Sequence, residues 1–149
     1  MENYHKLLRH VRQATWPKQQ RTYVEGEGLR VGLSVFTDLT GEYVKPRIYT
    51  QTDGIVTIMK EANLIMGERC RKDAPKGFGW TSLQINVNTT SDWHFDRKNV
   101  GPSCVMVLGD YVGDELEVEG NQPEALKNEA TMIDGRRWHR SIPFWEGER

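Results

Sequence analysis

The stretch TSLQINVNTTSDWHFDRKN, residues 81–99, begins with alternating apolar and polar side chains and ends with two metal-ligating residue types. The alternation predicts a strand with one buried and one polar face. His94 and Asp96 are two residues apart at its end. Because strand side chains repeat every two residues, the imidazole and the carboxylate project from the same face. We therefore expect this strand to supply two ligands of one metal ion.

A third ligand is available later in the chain. His139, within DGRRWHRSIPFWEGER, lies 43 residues beyond Asp96. Two imidazoles and one carboxylate are the donor set that leaves positions open on Fe(II) for a co-substrate and O₂. Arg149 follows ten residues after His139, and its planar guanidinium suits bidentate binding of a carboxylate. The alternative is that both histidines are structural.

The first half of the chain predicts two helices and a hairpin. Apolar residues at helical spacing predict a short N-terminal helix over 3–14, which Pro17 closes. Residues 29–52 alternate around a turn at 39–42 and predict a β-hairpin, with Pro46 at an edge or at its end. An apolar stripe over 54–71 predicts one long helix that packs on a sheet.

The second half predicts short strands separated by turn residues. After a breaker cluster at 73–77, the predicted strands are 81–88, 92–96, 103–109, 114–119, 130–134 and 138–143. This spacing is typical of a sandwich or barrel. The fold class expected is α+β, mainly β, in a single domain over residues 1–149.

The hydropathy and the cysteine spacing of the sequence indicate the expected cellular compartment and the expected state of the two cysteines. No run approaches eighteen apolar residues, and the first residues, MENYHKLLRH, lack a signal peptide's apolar region, so we expect a soluble protein of the cytoplasm or nucleus with no membrane partner. Cys70 and Cys104 have 33 residues between them and no CxxC motif. We expect two buried thiols rather than a disulfide or a zinc site.

Although the net charge of the chain is −1, its N-terminal segment is basic. Within the first 24 residues, five cationic side chains face a single acidic one, Glu2; they are Lys6, Arg9, Arg12, Lys18 and Arg21. Such a cluster is a local footprint for nucleic acid or, alternatively, a solvated helix face.

The ordered set His94-Phe-Asp96, Gly113-Asp-Glu-Leu116, His139 and Arg149 resembles the Fe(II)/2-oxoglutarate-dependent oxygenases. The resemblance implies a double-stranded β-helix, a distorted jelly roll of eight antiparallel strands, here with one long packing helix and a short N-terminal helix. It also implies that His94, Asp96 and His139 hold Fe(II) and that Arg149 binds the distal carboxylate of 2-oxoglutarate. The implied reaction decarboxylates this co-substrate to succinate with O₂ and removes hydrogen from a substrate C–H bond.

Within that superfamily, the stretch DRKNVGPS, residues 96–103, resembles the TET/JBP branch, which oxidises the methyl group of 5-methylcytosine or thymine in DNA. The resemblance implies that Asn99 faces the target base, although an Asn-Val-Gly turn also explains this residue. DNA is then the expected partner, with the basic N-terminal helix on its phosphates. A protein side-chain hydroxylase of the prolyl type has the same iron site and is the alternative.

Further candidates surround the metal strand. Asn86 and Asn88 on its polar face, and Ser103, could contact the metal-side carboxylate of the co-substrate; a solvated outer face is the alternative. Members of the family continue the last strand past the arginine, whereas Arg149 is the last residue here, so we expect that strand to be almost absent. Alternative cations are Arg136, Arg137 and Arg140. A cupin-like binding module without turnover is the third functional alternative.

Two more expectations concern side chains near the proposed ligands. Trp93 and Trp138 each precede a histidine ligand, so strand alternation points them away from the metal, and we expect packing roles. The acidic strand 114–119 places Leu116 and Val118 inward and its glutamates outward. We expect it to be a solubilising edge of the sheet.

Overall fold

A computed structural model describes residues 2–18, 23–37, 43–48, 53–70, 74–96, 99–113, 115–125 and 127–149. Within these ranges the helices are α1 (Glu2–Gln13) and α2 (Asp53–Arg69), and the strands are β1 (Val24–Thr37), β2 (Tyr43–Ile48), β3 (Ser82–His94), β4 (Ser103–Met106), β5 (Asp110–Gly113), β6 (Glu115–Val118), β7 (Glu124–Ala125), β8 (Ala130–Ile133), β9 (His139–Ser141) and β10 (Phe144–Glu148). The predicted class, α+β and mainly β, is confirmed.

Six of the strands form one antiparallel sheet in the order β2-β1-β3-β9-β6-β7. Two further antiparallel ladders pair β10 with β5 and β4 with β8. The predicted hairpin is present as β1 and β2, and Pro46 lies in β2 at the edge of the sheet. Its predicted turn at 39–42 falls outside the described residues.

The hydrophobic core forms where the two helices pack against β1 and β3. Both helices contribute buried apolar side chains, and β1 and β3 supply the opposing ones; they are Tyr4, Leu7, Ile55, Ile58, Ala62, Ile65, Val31, Leu83, Ile85 and Val87. The apolar stripe predicted for the long helix is therefore confirmed. Neither helix in the described part of the chain combines the length and the apolar character needed to cross a membrane.

Glu61 on α2 links the two helices through polar contacts with side chains of α1. Its carboxylate accepts a hydrogen bond from His10 at 2.8 Å and forms an ion pair with Lys6 at 3.3 Å. Burial raises the pKa of Glu61, but the contacts to His10 and Lys6 outweigh it and hold the pKa below its ordinary value. Lys6 is therefore engaged within the protein rather than free on the basic face.

The structure corrects three strand predictions. Instead of two strands at 81–88 and 92–96, the chain forms the single strand β3 (Ser82–His94), so Asp96 lies beyond the end of the strand that was predicted to carry it. The acidic strand is not an edge, because β6 pairs with β9 on one side and β7 on the other. The last strand is not nearly absent, because β10 spans five residues and pairs with β5.

The expectation of two free thiols is also wrong. Cys70, directly after α2, is joined to Cys104 of β4 in a disulfide whose Cα atoms are 6.5 Å apart. This Cα separation lies within the range that a disulfide can bridge. Sequence spacing could not reveal the pairing, because it depends on how α2 packs across the sheets.

We predict that the α1–α2 core dominates stability. Leu7 is 2% exposed, so Leu7→Ala should lower the free energy of unfolding by about 2–5 kcal/mol through lost burial and a residual cavity. The same substitution at Leu64, which is 58% exposed, should change it by less than about 0.5 kcal/mol. Urea unfolding followed by circular dichroism measures both, and equal losses would contradict this location of the core.

Candidate metal centre

Strand pairing brings the two predicted histidine ligands together. His94, the last residue of β3, is the direct antiparallel partner of His139, the first residue of β9. Directly opposed side chains on antiparallel strands lie on the same face. The two ring centroids are accordingly 4.3 Å apart. His139 is 7% exposed and therefore buried, whereas His94 is only partly buried.

Main-chain carbonyl groups fix the orientation of both imidazoles. Nδ1 of His94 lies 2.7 Å from the carbonyl oxygen of Asp92, and Nδ1 of His139 lies 2.8 Å from that of Arg137. A carbonyl oxygen can only accept, so each Nδ1 must carry the proton and donate it. In the neutral imidazole each Nε2 then carries the lone pair, which is the state that a metal-ligating histidine requires.

Asp96 completes the group. Its main-chain N–H donates to the carbonyl of Gly135 at 2.8 Å, and its Oδ2 lies 3.7 Å from Nε2 of His139. That distance is too long for a hydrogen bond and longer than the roughly 3 Å between neighbouring ligands of a metal with bonds of about 2.1 Å, so the two atoms would draw together on binding a metal. The candidate ligand atoms of His94, Asp96 and His139 all lie within 4.8 Å of one another. The residues predicted as metal ligands are therefore assembled.

Gly135 allows the turn before β9 to approach Asp96, and the sequence analysis missed this role. A Cβ at this position would lie 2.8 Å from Oδ2 of Asp96 and 2.9 Å from Nδ2 of Asn99. Both contacts are closer than real Cβ atoms adopt. The Asp-Gly dipeptide at 134–135 was visible as a turn signal, but its contact with Asp96 was not.

Asn99 and Ser103, predicted to contact base and co-substrate, lie beside Asp96. The Asn99 side chain donates from Nδ2 to Oγ of Ser103 at 3.1 Å. Both Nδ2 of Asn99 and a carboxylate oxygen of Asp96 converge on Gly135. The structure therefore brings Asn99 to the candidate centre, with Ser103 orienting its amide.

Tyr23 is a second residue that the sequence analysis missed. Its ring stacks on His94 with centroids 4.4 Å apart and planes 19° from parallel. The carbonyl of Tyr23 accepts the N–H of Asp92, the residue whose own carbonyl holds His94. Tyr23 therefore supports the imidazole directly and through Asp92.

The main chain of Arg149 pairs with Asn88, in the middle of β3. Its N–H donates to Oδ1 of Asn88 at 2.9 Å, and the N–H of Asn88 donates to its carbonyl at 2.7 Å. Asn88 precedes His94 by six residues along β3, whose pairing with β9 is irregular between Ser91 and His94. The side chain of Arg149, whose Cζ lies 5.1 Å from the ring centre of Phe144, would have to extend along β3 to reach a ligand of the metal.

The Arg149 guanidinium lies in a low-dielectric site that it shares with Tyr111. Burial lowers the pKa of Arg149 to about 10, opposed by the charge of Tyr111. Burial likewise raises the pKa of Tyr111, opposed by Arg149. The Tyr111 hydroxyl is buried and finds no hydrogen-bond partner among the described residues. A phenol and a guanidinium so placed are donors suited to a carboxylate, and Tyr111 carried no motif that marked it in the sequence.

The remaining candidate cations are engaged elsewhere. Arg136 pairs with Asp134, Arg140 pairs with Glu117, and Arg137 donates to the carbonyl of Glu119.

Asn86 and the two tryptophans lie on exposed surface. Asn86 is exposed and accepts a hydrogen bond from Gln84. Trp93 lies under the Arg140 guanidinium, and Trp138 meets the edge of Phe95. Both indoles are more than a third exposed, so they pack against these neighbours at the surface rather than in the core.

We predict that Gly135→Ala weakens metal binding although Gly135 is not a ligand. The added methyl group would displace the Asp96 carboxylate, and disturbing a ligand's support typically costs 10–100-fold in affinity. Gly79→Ala is the matched control, because a Cβ there meets open space. Titration with Co²⁺ followed by visible absorption measures both, and equal affinities for wild type and Gly135→Ala would contradict the assigned contact.

Comparisons with protein-family models, with curated proteins and with solved structures found no match. A function for the chain is therefore inferred from the geometry of His94, Asp96 and His139.

Proposed function

We propose that the protein is an Fe(II)- and 2-oxoglutarate-dependent oxygenase that hydroxylates a C–H bond. The observation that carries the proposal is the convergence of two imidazoles and one carboxylate, with each Nε2 left as an acceptor by a main-chain hydrogen bond at Nδ1. Two histidines and one carboxylate suit Fe(II) with open positions for other ligands. When bound, Fe(II) with 2-oxoglutarate and O₂ supplies the oxidation of the substrate C–H bond.

The sheet order supports a double-stranded β-helix as the fold. The order β3-β9-β6-β7 alternates early and late strands, as it does when two halves of a jelly roll interleave. β4 and β5 are separated by only three residues and pair with β8 and β10, which supplies strands for a second sheet. In this arrangement the metal ligands lie where β3 ends and β9 begins.

The protein's own groups account for orientation at both ends of the co-substrate. His94 and His139 would hold Fe(II) through Nε2, while the Asp92 and Arg137 carbonyls keep the rings from rotating. At the other end, the guanidinium of Arg149 and the hydroxyl of Tyr111 would bind the distal carboxylate. Their burial strengthens such a contact because water does not compete there.

For the substrate, we propose the methyl group of a nucleobase in DNA, 5-methylcytosine or thymine. The amide of Asn99 beside Asp96 supports this choice. Exposed Arg9 and Lys18 offer phosphate contacts, whereas Lys6 is paired with Glu61, Arg12 interacts with Asp110 and Arg21 falls outside the described residues. A base in a duplex would have to be flipped out to reach the centre.

We predict a metal-to-ligand charge-transfer band when Fe(II) and 2-oxoglutarate are added anaerobically. His94→Ala should remove the band, because two ligands cannot hold the metal in this geometry. Tyr111→Phe should weaken 2-oxoglutarate binding by about tenfold through one lost hydrogen bond to a charged group. Arg136→Gln, at an exposed ion pair, is the control. A folded wild-type protein without the band would contradict the oxygenase assignment and favour a cupin-like binding module.

We predict that succinate release rises with DNA that contains 5-methylcytosine and not with proline-containing peptides. Phosphate contacts from Arg9 and Lys18 should make this stimulation fall as salt rises, and Arg9→Gln should weaken DNA binding at every sequence tested. Stimulation by the peptides instead of DNA would identify a prolyl-type hydroxylase and contradict the nucleobase assignment.

A further inference from the structure

The Cys70–Cys104 disulfide joins the end of α2 to a strand beside the candidate metal centre. Cys70 directly follows α2, and Cys104 is the second residue of β4. The two residues are 34 positions apart in the sequence, so the bond restricts a segment of chain that contains all of β3. The bond therefore encloses the strand that carries His94.

One route from Cys104 to the metal centre runs through its neighbour Ser103. Oγ of Ser103 accepts a hydrogen bond from Nδ2 of Asn99 at 3.1 Å. Nδ2 of Asn99 and Oδ2 of Asp96 both approach Gly135, where a Cβ would lie 2.9 and 2.8 Å from them. A shift of β4 at Cys104 would therefore move a side chain that lies beside the Asp96 carboxylate.

A second route runs through the pairing of β4 with β8. Cys104 lies opposite Met132 in this antiparallel ladder, and β8 leads directly into the turn that contains Gly135. The carbonyl of Gly135 accepts the N–H of Asp96 at 2.8 Å, and the same turn ends at His139. Because the ladder couples β4 to β8, a displacement of β4 reaches both of these proposed ligands.

The disulfide is accessible at one of its two sulfur atoms. Cys70 is 2% exposed, whereas Cys104 is only partly buried. Thiol–disulfide exchange requires a thiolate to attack one of the sulfur atoms. A small dithiol can therefore attack Sγ of Cys104, form a mixed disulfide there and release the thiol of Cys70. The second thiol of the reagent then displaces Cys104 and closes the reagent's own disulfide.

We propose that Cys70 and Cys104 form a reversible redox site and that their disulfide keeps the candidate metal centre assembled. Reduction transfers two electrons and two protons from a small dithiol to the two sulfur atoms, so the protein gains two thiols and the dithiol becomes a disulfide. β4 is then no longer tied to α2, and the supports of Asp96 and His139 loosen. A small disulfide reverses the reaction. The regulated property is metal affinity, which is separate from the reaction proposed for the bound metal.

Titration with Co²⁺ followed by visible absorption tests this inference on oxidised protein and on protein reduced by a phosphine, which adds no competing thiol. The reduced protein should bind Co²⁺ at least about tenfold more weakly, the usual effect of disturbing the support of a ligand. The double variant Cys70→Ser, Cys104→Ser has no thiol that could bind Co²⁺ itself. It should bind as weakly as the reduced protein, with or without the phosphine. Equal affinities of oxidised and reduced wild type would overturn the proposal.

Amide hydrogen exchange, measured without metal or 2-oxoglutarate, separates a local effect from a general loss of stability. The N–H of Asp96 donates to the Gly135 carbonyl and should exchange at least about tenfold faster in the reduced protein. The N–H of Gly28, which donates to the Pro17 carbonyl at 2.8 Å in another part of the fold, is the control and should keep its exchange rate. Unchanged exchange at Asp96, or equal acceleration at both amides, would overturn the proposal.

Discussion

The antiparallel pairing of β3 with β9 is the constraint on which the candidate centre depends. The two histidines are 45 positions apart in the sequence, and only the register that sets His94 opposite His139 makes them neighbours. A shift of one residue would move one imidazole to the other face of the sheet. Helix packing on β1 and β3 stabilises the sheet, so the core indirectly stabilises the pairing of β3 with β9.

Main-chain groups of the turn between β8 and β9 contact both Asp96 and His139. The carbonyl of Gly135 accepts the N–H of Asp96, and the carbonyl of Arg137 holds His139. One short segment therefore orients the His139 imidazole and admits the Asp96 carboxylate. Because its contacts are made largely by main-chain groups, substitutions that alter the backbone of this turn should matter more than those that change exposed side chains.

Local periodicity was enough to predict much of the centre. The strand repeat places His94, but Asp96 lies two residues beyond the end of β3, and the hydrogen bond from its N–H to the Gly135 carbonyl positions it instead. His139 was needed as a third donor. The helices and the hairpin also follow from local patterns. Tyr23, Gly135 and Tyr111 could not be found in this way, because their roles arise from contacts between distant segments. The same reason explains the Cys70–Cys104 disulfide and the interior position of β6: charge alternation describes the faces of a strand but not its neighbours.

β3 also sets the separation between the two proposed ends of the co-substrate. His94 marks the metal end, and the paired hydrogen bonds between Asn88 and Arg149 mark the other. Asn88 adopts a φ of 50° at a bulge opposite Gly26, where a Cβ would lie 2.6 Å from the Asn88 carbonyl oxygen. This close approach fixes the position along β3 at which Arg149 is anchored.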